Sequence, residues 1–155
     1  MLVGVFNQMK KFLFIDVDGV VAKHREPISP EISMRLREIS EKAKVVFASG
    51  KPASYLTGLA RGIGLSSSIV IGENGGTIFF TDSMYEIVFS DFDDSIKNTL
   101  NVLRTDCEKQ LKDKCWFQPN RVNVTAFPKK DFSVEETKTE FENIINEQDL
   151  EGIKL

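Results

Sequence analysis

Asp16 and Asp18 stand two residues apart at the end of an apolar run, Phe12-Leu13-Phe14-Ile15-Asp16-Val17-Asp18-Gly19-Val20. Such a run reads as a strand buried on both faces in the middle of a parallel sheet. Ligand sites gather at the carboxyl ends of strands of that kind. Alternate residues of a strand share a face, so both carboxylates lean toward one point if the strand continues that far. Paired carboxylates suit a nucleophile, a proton donor or a divalent cation. In the reading these residue types support, Asp16 attacks a phosphoryl group and Asp18 protonates the leaving oxygen. Mg2+ held by one oxygen of Asp16 and the backbone carbonyl of Asp18 would offset the charge repulsion. Gly19 lets the backbone turn and approach phosphate closely. The competing reading, one acid capping the following turn, accounts for only one of the two.

Ser49-Gly50-Lys51 forms a second cluster, at the end of the apolar run Lys44–Ala48. A hydroxyl, a glycine amide and a helix N-terminus at a strand end make an anion site, and Lys51 adds a charge to it. Read structurally, Ser49 is an N-cap before Pro52. Glu73-Asn74-Gly75-Gly76 forms a third cluster, with the glycines read as a turn and Asn74 as a supporting residue behind the site.

The elements that must position these residues follow a regular rhythm. Phe12–Val17, Lys44–Ala48 and Ser68–Ile71 read as strands. Ser29-Pro30-Glu31 starts a helix, with a Ser cap, Pro in the first turn and an acid behind it. Ile32, Leu36, Ile39 and Ala43 recur at helical spacing in that segment. Pro52 opens a second helix, with Leu56, Leu59, Ala60 and Ile63 inward and Gly64 at its stop. Alternating strands and amphipathic helices predict an α/β fold with a parallel, Rossmann-like core. Thr77–Phe80 and Tyr85–Phe89 then read as a hairpin. After the polar hinge Asp91–Asp94, a helix carries Ile96, Leu100, Leu103, Cys107 and Leu111 on one stripe. Cys115–Phe117 and Arg121–Phe127 read as a second hairpin across Gln118-Pro119-Asn120. Ser133 and Glu136 form a capping box for a helix with Val134, Phe141, Ile144 and Ile145. Gly152–Leu155 resembles a strand start. The expected organisation is a core over residues 1–90, with a hairpin at 76–89, and a small α+β unit over 91–155.

Composition narrows the function classes. The 155 residues have a net charge of −3, which implies no broad basic surface for nucleic acid. The apolar runs are too short to span a bilayer. The opening residues lack a basic n-region, so no signal peptide is expected, and Met9 offers an alternative start. Cys107 and Cys115 fit no zinc spacing and read as reduced thiols of a cytoplasmic protein.

Asp-x-Asp-Gly, then Ala-Ser-Gly after the second strand, then Glu-Asn-Gly-Gly before a hairpin, resembles the haloacid dehalogenase superfamily of phosphatases. The Glu-Asn-Gly-Gly turn and the α-β-β-α unit after it resemble the branch with a cap inserted after the third strand, as in Cof-type and archaeal phosphoglycolate phosphatases. Arg121-Val122-Asn123-Val124-Thr125 is similar to a cap strand of that branch. The likeness runs from Lys11 to Leu155. It implies Asp16 as nucleophile, Asp18 as general acid and base, Ser49 as phosphate ligand, and Mg2+ as cofactor. The expected partner is a small phosphorylated metabolite, a phosphoglycolate or a sugar phosphate, with Gly19, Gly50 and Lys51 also at the phosphate. Arg121 and Asn123 are candidate substrate contacts on the cap.

The branch resumes its core after the cap with a phosphate-gripping lysine and a Gly-Asp-x-x-(Asn/Asp) segment. Neither follows the cap in this sequence. Asp91–Asp94 and Lys129-Lys130-Asp131 read better as a hinge and a solvated loop. Two main electrostatic contributions to phosphoryl transfer are therefore missing, and weak or no turnover is expected of this chain alone. Two alternatives stay open: a capless phosphatase acting on a sugar-acid phosphate, and a non-catalytic relative that binds phosphate or a protein through the old site. A two-component receiver is excluded, because its acceptor acid follows the third strand, where this chain has Gly72-Glu73-Asn74. An unfinished sheet edge would invite pairing with another chain.

Overall fold

The computed structural model describes residues 11–23, 26–89, 93–150 and 153. Met9, most of the Gly152–Leu155 segment, and the hinge residues Ser90, Asp91 and Phe92 lie outside the described residues. The chain forms two compact units, Met1–Glu86 and Ile87–Leu155.

The first unit begins with β1 (Phe12–Ile15), α1 (Pro30–Ser40), β2 (Lys44–Ala48), α2 (Ala53–Ile63) and β3 (Ser68–Gly72). A short 3-10 turn at Glu73–Gly75 leads to β4 (Thr77–Phe80) and β5 (Tyr85–Val88), the latter reaching just past the unit boundary. The strands form one sheet in the order β1-β2-β3-β4-β5. β1, β2 and β3 are parallel, and β4 returns antiparallel to β3. This is the expected α/β fold with a parallel-dominated sheet. The helices start and stop where the sequence demands. Ser29 caps α1 by accepting from the Ile32 N–H at 3.2 Å, with Pro30 in the first turn. Gly64 ends α2 at φ 93°, a left-handed conformation that costs glycine little. Pro52 itself is the N-cap of α2, not its first helical residue.

Val45, Val46 and Phe47 of β2 are buried between β1 and β3, and Leu56, Ala60 and Ile63 of α2 join Val45, Phe47 and Val70 in one core cluster. Each large apolar side chain buried in this way contributes roughly 1.5–3 kcal/mol.

β1 departs from the expectation of a central strand in two ways. It lies at the edge of the sheet among the described residues. Its burial alternates, with Leu13 and Ile15 facing the core while Phe12 and Phe14 are 49% and 64% exposed. An unbroken apolar run marks two apolar faces but does not show whether a neighbour covers the second. The strand also ends at Ile15, so Asp16 and Asp18 are set by a turn, not by the pleat.

The second unit contains α3 (Asp94–Leu111), β6 (Cys115–Phe117), β7 (Ala126–Pro128) and α4 (Val134–Glu147). Asp93 caps α3, accepting from Ser95 and Ile96 N–H groups at 2.9 and 3.2 Å. The capping box on α4 is present: Ser133 accepts from Glu136 N–H at 3.1 Å and donates its own N–H to Glu136 at 2.8 Å. Leu103, Cys107, Leu111, Cys115, Phe141 and Ile144 form its core, with Ile153 packed against them. Ile96 and Val134, expected on the apolar stripes, are 52% and 66% exposed.

The second hairpin also differs from the expectation. β6 and β7 pair antiparallel with Cys115 opposite Pro128, and residues 121–125 are not strand. A local network of Asn and Thr side chains stands there in place of a ladder. Asn120 donates to Asn123 and, at 3.0 Å, to Thr125. Thr125 in turn donates to Asn123 at 3.0 Å.

Candidate active site

The chain end of β1 folds at once into a tight turn. Val17 and Val21 anchor it, at 1% and 0% exposure. The Val17 carbonyl accepts from Val21 and Ala22 N–H groups, each at 3.0 Å, and Gly19 N–H donates to the Ala22 carbonyl at 2.7 Å. Closing this loop requires φ +77° at Gly19, where a side chain would be strained. Asp16 Oδ1 accepts the Val17 N–H at 2.7 Å. That bond fixes the carboxylate through Oδ1.

β2 brings Ser49-Gly50-Lys51 to the same edge. Ile15 pairs with Phe47 in parallel register, so Asp16 comes level with Ala48 and the two loops leave the sheet side by side. Lys51 Nζ lies 2.8 Å from Asp18 Oδ2 and 5.2 Å from the centre of the Tyr55 ring. The ammonium is thus shared between a carboxylate and an aromatic face. The Lys51 N–H donates to Ser49 Oγ at 3.4 Å, drawing the hydroxyl toward the start of α2.

β3 supplies the support. Asn74 N–H donates to the Ser49 carbonyl at 3.2 Å and Glu73 N–H to the Lys51 carbonyl at 3.0 Å. The Asn74 carboxamide stands over Gly50, with Oδ1 3.1 Å from where a Cβ on Gly50 would sit. Both residues adopt left-handed backbone, at φ 53° for Glu73 and 57° for Asn74, and consecutive strained residues of this kind mark loops the surroundings over-determine.

Of the residues expected at the site, the structure brings Asp16, Asp18, Gly19, Ser49, Gly50, Lys51 and Asn74 to one edge of the first unit. Arg121 and Asn123 belong to the second unit, where the Asn123 side chain serves its own loop and its carbonyl accepts from Arg104 at 3.2 Å. The sequence reading placed Glu73 in the third cluster without its burial, 4% exposed, and did not single out Tyr55. Tyr55 lies in the first turn of α2, four residues after Lys51, which precedes the N-cap Pro52. Nothing in the residue type of Glu73 signals burial.

Among the described residues, no three His, Cys, Asp or Glu side chains come together to hold a metal ion. Of the two carboxylates, one oxygen is committed to Val17 and another carries the Lys51 ammonium. Mg2+ is commonly bound through one or two carboxylates, with waters and substrate phosphate completing the octahedron, so Asp16 Oδ2 and the Asp18 backbone carbonyl could serve as its ligands beside a Lys51 that sits on Asp18 Oδ2.

A family model for haloacid dehalogenase-like hydrolases matches residues 13–154. The chain belongs to this family. A phosphoglycolate phosphatase from Methanococcoides burtonii is 35% identical over 68 residues, which is 44% of this chain and 29% of that protein. Among solved structures, a haloacid dehalogenase-like hydrolase from Bacteroides thetaiotaomicron matches with TM-score 0.53 at 17% identity, over 86% of this chain and 49% of its own. A trehalose-6-phosphate phosphatase related protein matches with TM-score 0.65 at 13% identity, over 94% of this chain and 64% of its own. These likenesses concern the family fold. The chain spans less than two thirds of each relative. No described helix is long and apolar enough to cross a membrane.

Proposed function

We propose that this chain carries the phosphoryl-accepting site of a phosphatase for small phosphate monoesters, of the phosphoglycolate or sugar phosphate class. One observation carries the reading: the Asp16–Gly19 turn and the Ser49–Lys51 loop share an edge, with Lys51 on Asp18. The family membership and the phosphoglycolate phosphatase likeness support it.

In this reading the Asp16 carboxylate attacks phosphorus and the ester P–O bond breaks. Asp18 gives its proton to the leaving alkoxide. Asp18 then takes a proton from water as that water attacks the aspartyl-phosphate, and inorganic phosphate leaves with Asp16 restored. Ser49, the Gly50 amide, Lys51 and the start of α2 meet the phosphate oxygens. Asp16 and the Asp18 backbone carbonyl would hold the Mg2+ that the family resemblance implies, and the ion would offset the charge repulsion between carboxylate and phosphate. Turnover by this chain alone is expected to be slow, since no Gly-Asp-x-x-(Asn/Asp) segment occurs in the sequence.

The test is an acid quench during incubation with p-nitrophenyl phosphate, with and without Mg2+, followed by mass mapping of the peptide holding Asp16. Phosphate on Asp16, absent in Asp16→Asn, is the expected result, and Asp18→Asn should slow release by about a hundredfold or more. Hydrolysis indifferent to Asp16→Asn, or no acyl-phosphate under any condition, would overturn it in favour of a non-catalytic anion site.

A further inference from the structure

Asp18 marks the leaving-group side of this edge. A proton donor must come within about 2.6–3.2 Å of the oxygen it protonates, so in the proposed chemistry the Asp18 carboxylate stands beside the ester oxygen. Lys51 Nζ is 2.8 Å from Oδ2 of that carboxylate. The ammonium is therefore a neighbour of the leaving group as well as of the phosphate. Its side chain is only 22% exposed, and the Tyr55 ring flanks it at 5.2 Å from the ring centre. An ammonium carries three N–H donors and accepts nothing. Asp18 takes one, and a compact point charge offers the others to anionic oxygens before neutral ones. The loop beneath it is held from behind, since Glu73 N–H donates to the Lys51 carbonyl at 3.0 Å and Asn74 N–H to the Ser49 carbonyl at 3.2 Å.

We propose that Lys51 is a specificity residue, and that it selects phosphate monoesters whose leaving group carries a carboxylate on the carbon that bears the ester oxygen. This rests on the phosphatase reading of the edge and narrows its substrate class to phosphorylated 2-hydroxy acids. In such an ester the carboxylate carbon is two bonds from the ester oxygen. When Asp18 reaches the ester oxygen, the carboxylate comes within reach of the ammonium beside Asp18. A sugar phosphate presents hydroxyls in that place, and a hydrogen bond between charged partners is roughly twice as strong as a neutral one. The preference comes from the charge next to the proton donor, so it is added to whatever holds the phosphate itself.

The test is calorimetric titration of the full chain in Mg2+ with three esters: 2-phosphoglycolate, its neutral carboxamide, and ethyl phosphate, which lacks the group altogether. The acid should bind about tenfold or more tighter than the other two, the scale of one charge-assisted hydrogen bond. Lys51→Met should bring the three dissociation constants within about twofold of one another, and Lys51→Arg should keep part of the preference because the charge remains. Far-UV circular dichroism checks that Lys51→Met is folded, with Lys51→Gln as the second variant, and the parent's choice between acid and amide needs no variant. Equal affinity for acid and amide in the parent, or a preference that survives Lys51→Met, would overturn the proposal while ethyl phosphate binding leaves the phosphate site in place. Equal loss of all three ligands in Lys51→Met would put Lys51 at the phosphate alone and overturn it too. No binding of any ester would overturn both the proposal and the phosphatase reading beneath it.

Discussion

Gly72 closes β3 where three other elements crowd it, and replacing it with alanine tests how the site is held. Its backbone, at φ −99° and ψ 167°, is extended and open to any residue, so the cost of Gly72→Ala is steric alone. The new Cβ would lie 2.7 Å from the Ala53 amide nitrogen, 2.7 Å from Thr77 Oγ1 and 2.9 Å from the Lys51 carbonyl oxygen. Ordinary contact begins at 3.4 Å, so two of these fall short by about 0.7 Å. Two of the three are backbone atoms, at the start of α2 and in the Lys51 loop, and cannot swing aside as a side chain does. Overpacking of this kind costs typically 1–3 kcal/mol. For a chain of this size, about 2 kcal/mol lowers Tm by about 4–8 °C. Gly58→Ala is the matched control. Gly58 is exposed inside α2 with nothing within 4 Å of its would-be Cβ, so alanine there should stabilise by about 0.5–1 kcal/mol. Thermal and urea unfolding of the two variants, followed by circular dichroism, should move in opposite directions. Equal shifts, or a Gly72→Ala Tm within about 1 °C of the parent, would refute the packing argument.

Two further outcomes are expected. Gly19→Ala meets no neighbour within 4 Å but must adopt φ +77°, so it should cost about 1 kcal/mol in urea unfolding and impair phosphate binding by shifting the Asp16–Asp18 turn. Burial, with the Asp106 charge second, pushes the Cys107 thiol up to about 12 from 9.0. Its stabilising contribution is therefore complete below pH 9.0 and is lost as pH rises from there toward 12. Iodoacetamide at pH 8 should label Cys107 slowly in the native protein and rapidly in urea, and fast native labelling would contradict its burial.

The parts of the fold legible in the sequence are those governed by neighbours in the chain. Ser29-Pro30, Gly64 and the Ser133–Glu136 box carry their meaning within four residues, and each stands where expected. The position of β1 was not legible, because which strands flank it depends on the whole topology. The Arg121–Thr125 segment alternates like a strand, yet the Asn120, Asn123 and Thr125 side chains bond to one another there. At the candidate site, residue types and their order were enough to nominate Asp16, Asp18, Ser49, Lys51 and Asn74. The ion pair between Lys51 and Asp18 was not visible, because it depends on how two separate strand ends are juxtaposed. The burial of Glu73 was not visible for the same reason: it comes from the turn around it.

The side of β1 that no strand covers among the described residues bears on more than packing. Its row of backbone groups and the exposed rings of Phe12 and Phe14 run directly into Asp16. A further strand laid along that row would end beside Asp16 and form a wall of the proposed site. Its docking and the capture of phosphate would then be thermodynamically linked. Whatever the strand did to phosphate affinity, phosphate would do to the affinity for the strand by the same factor.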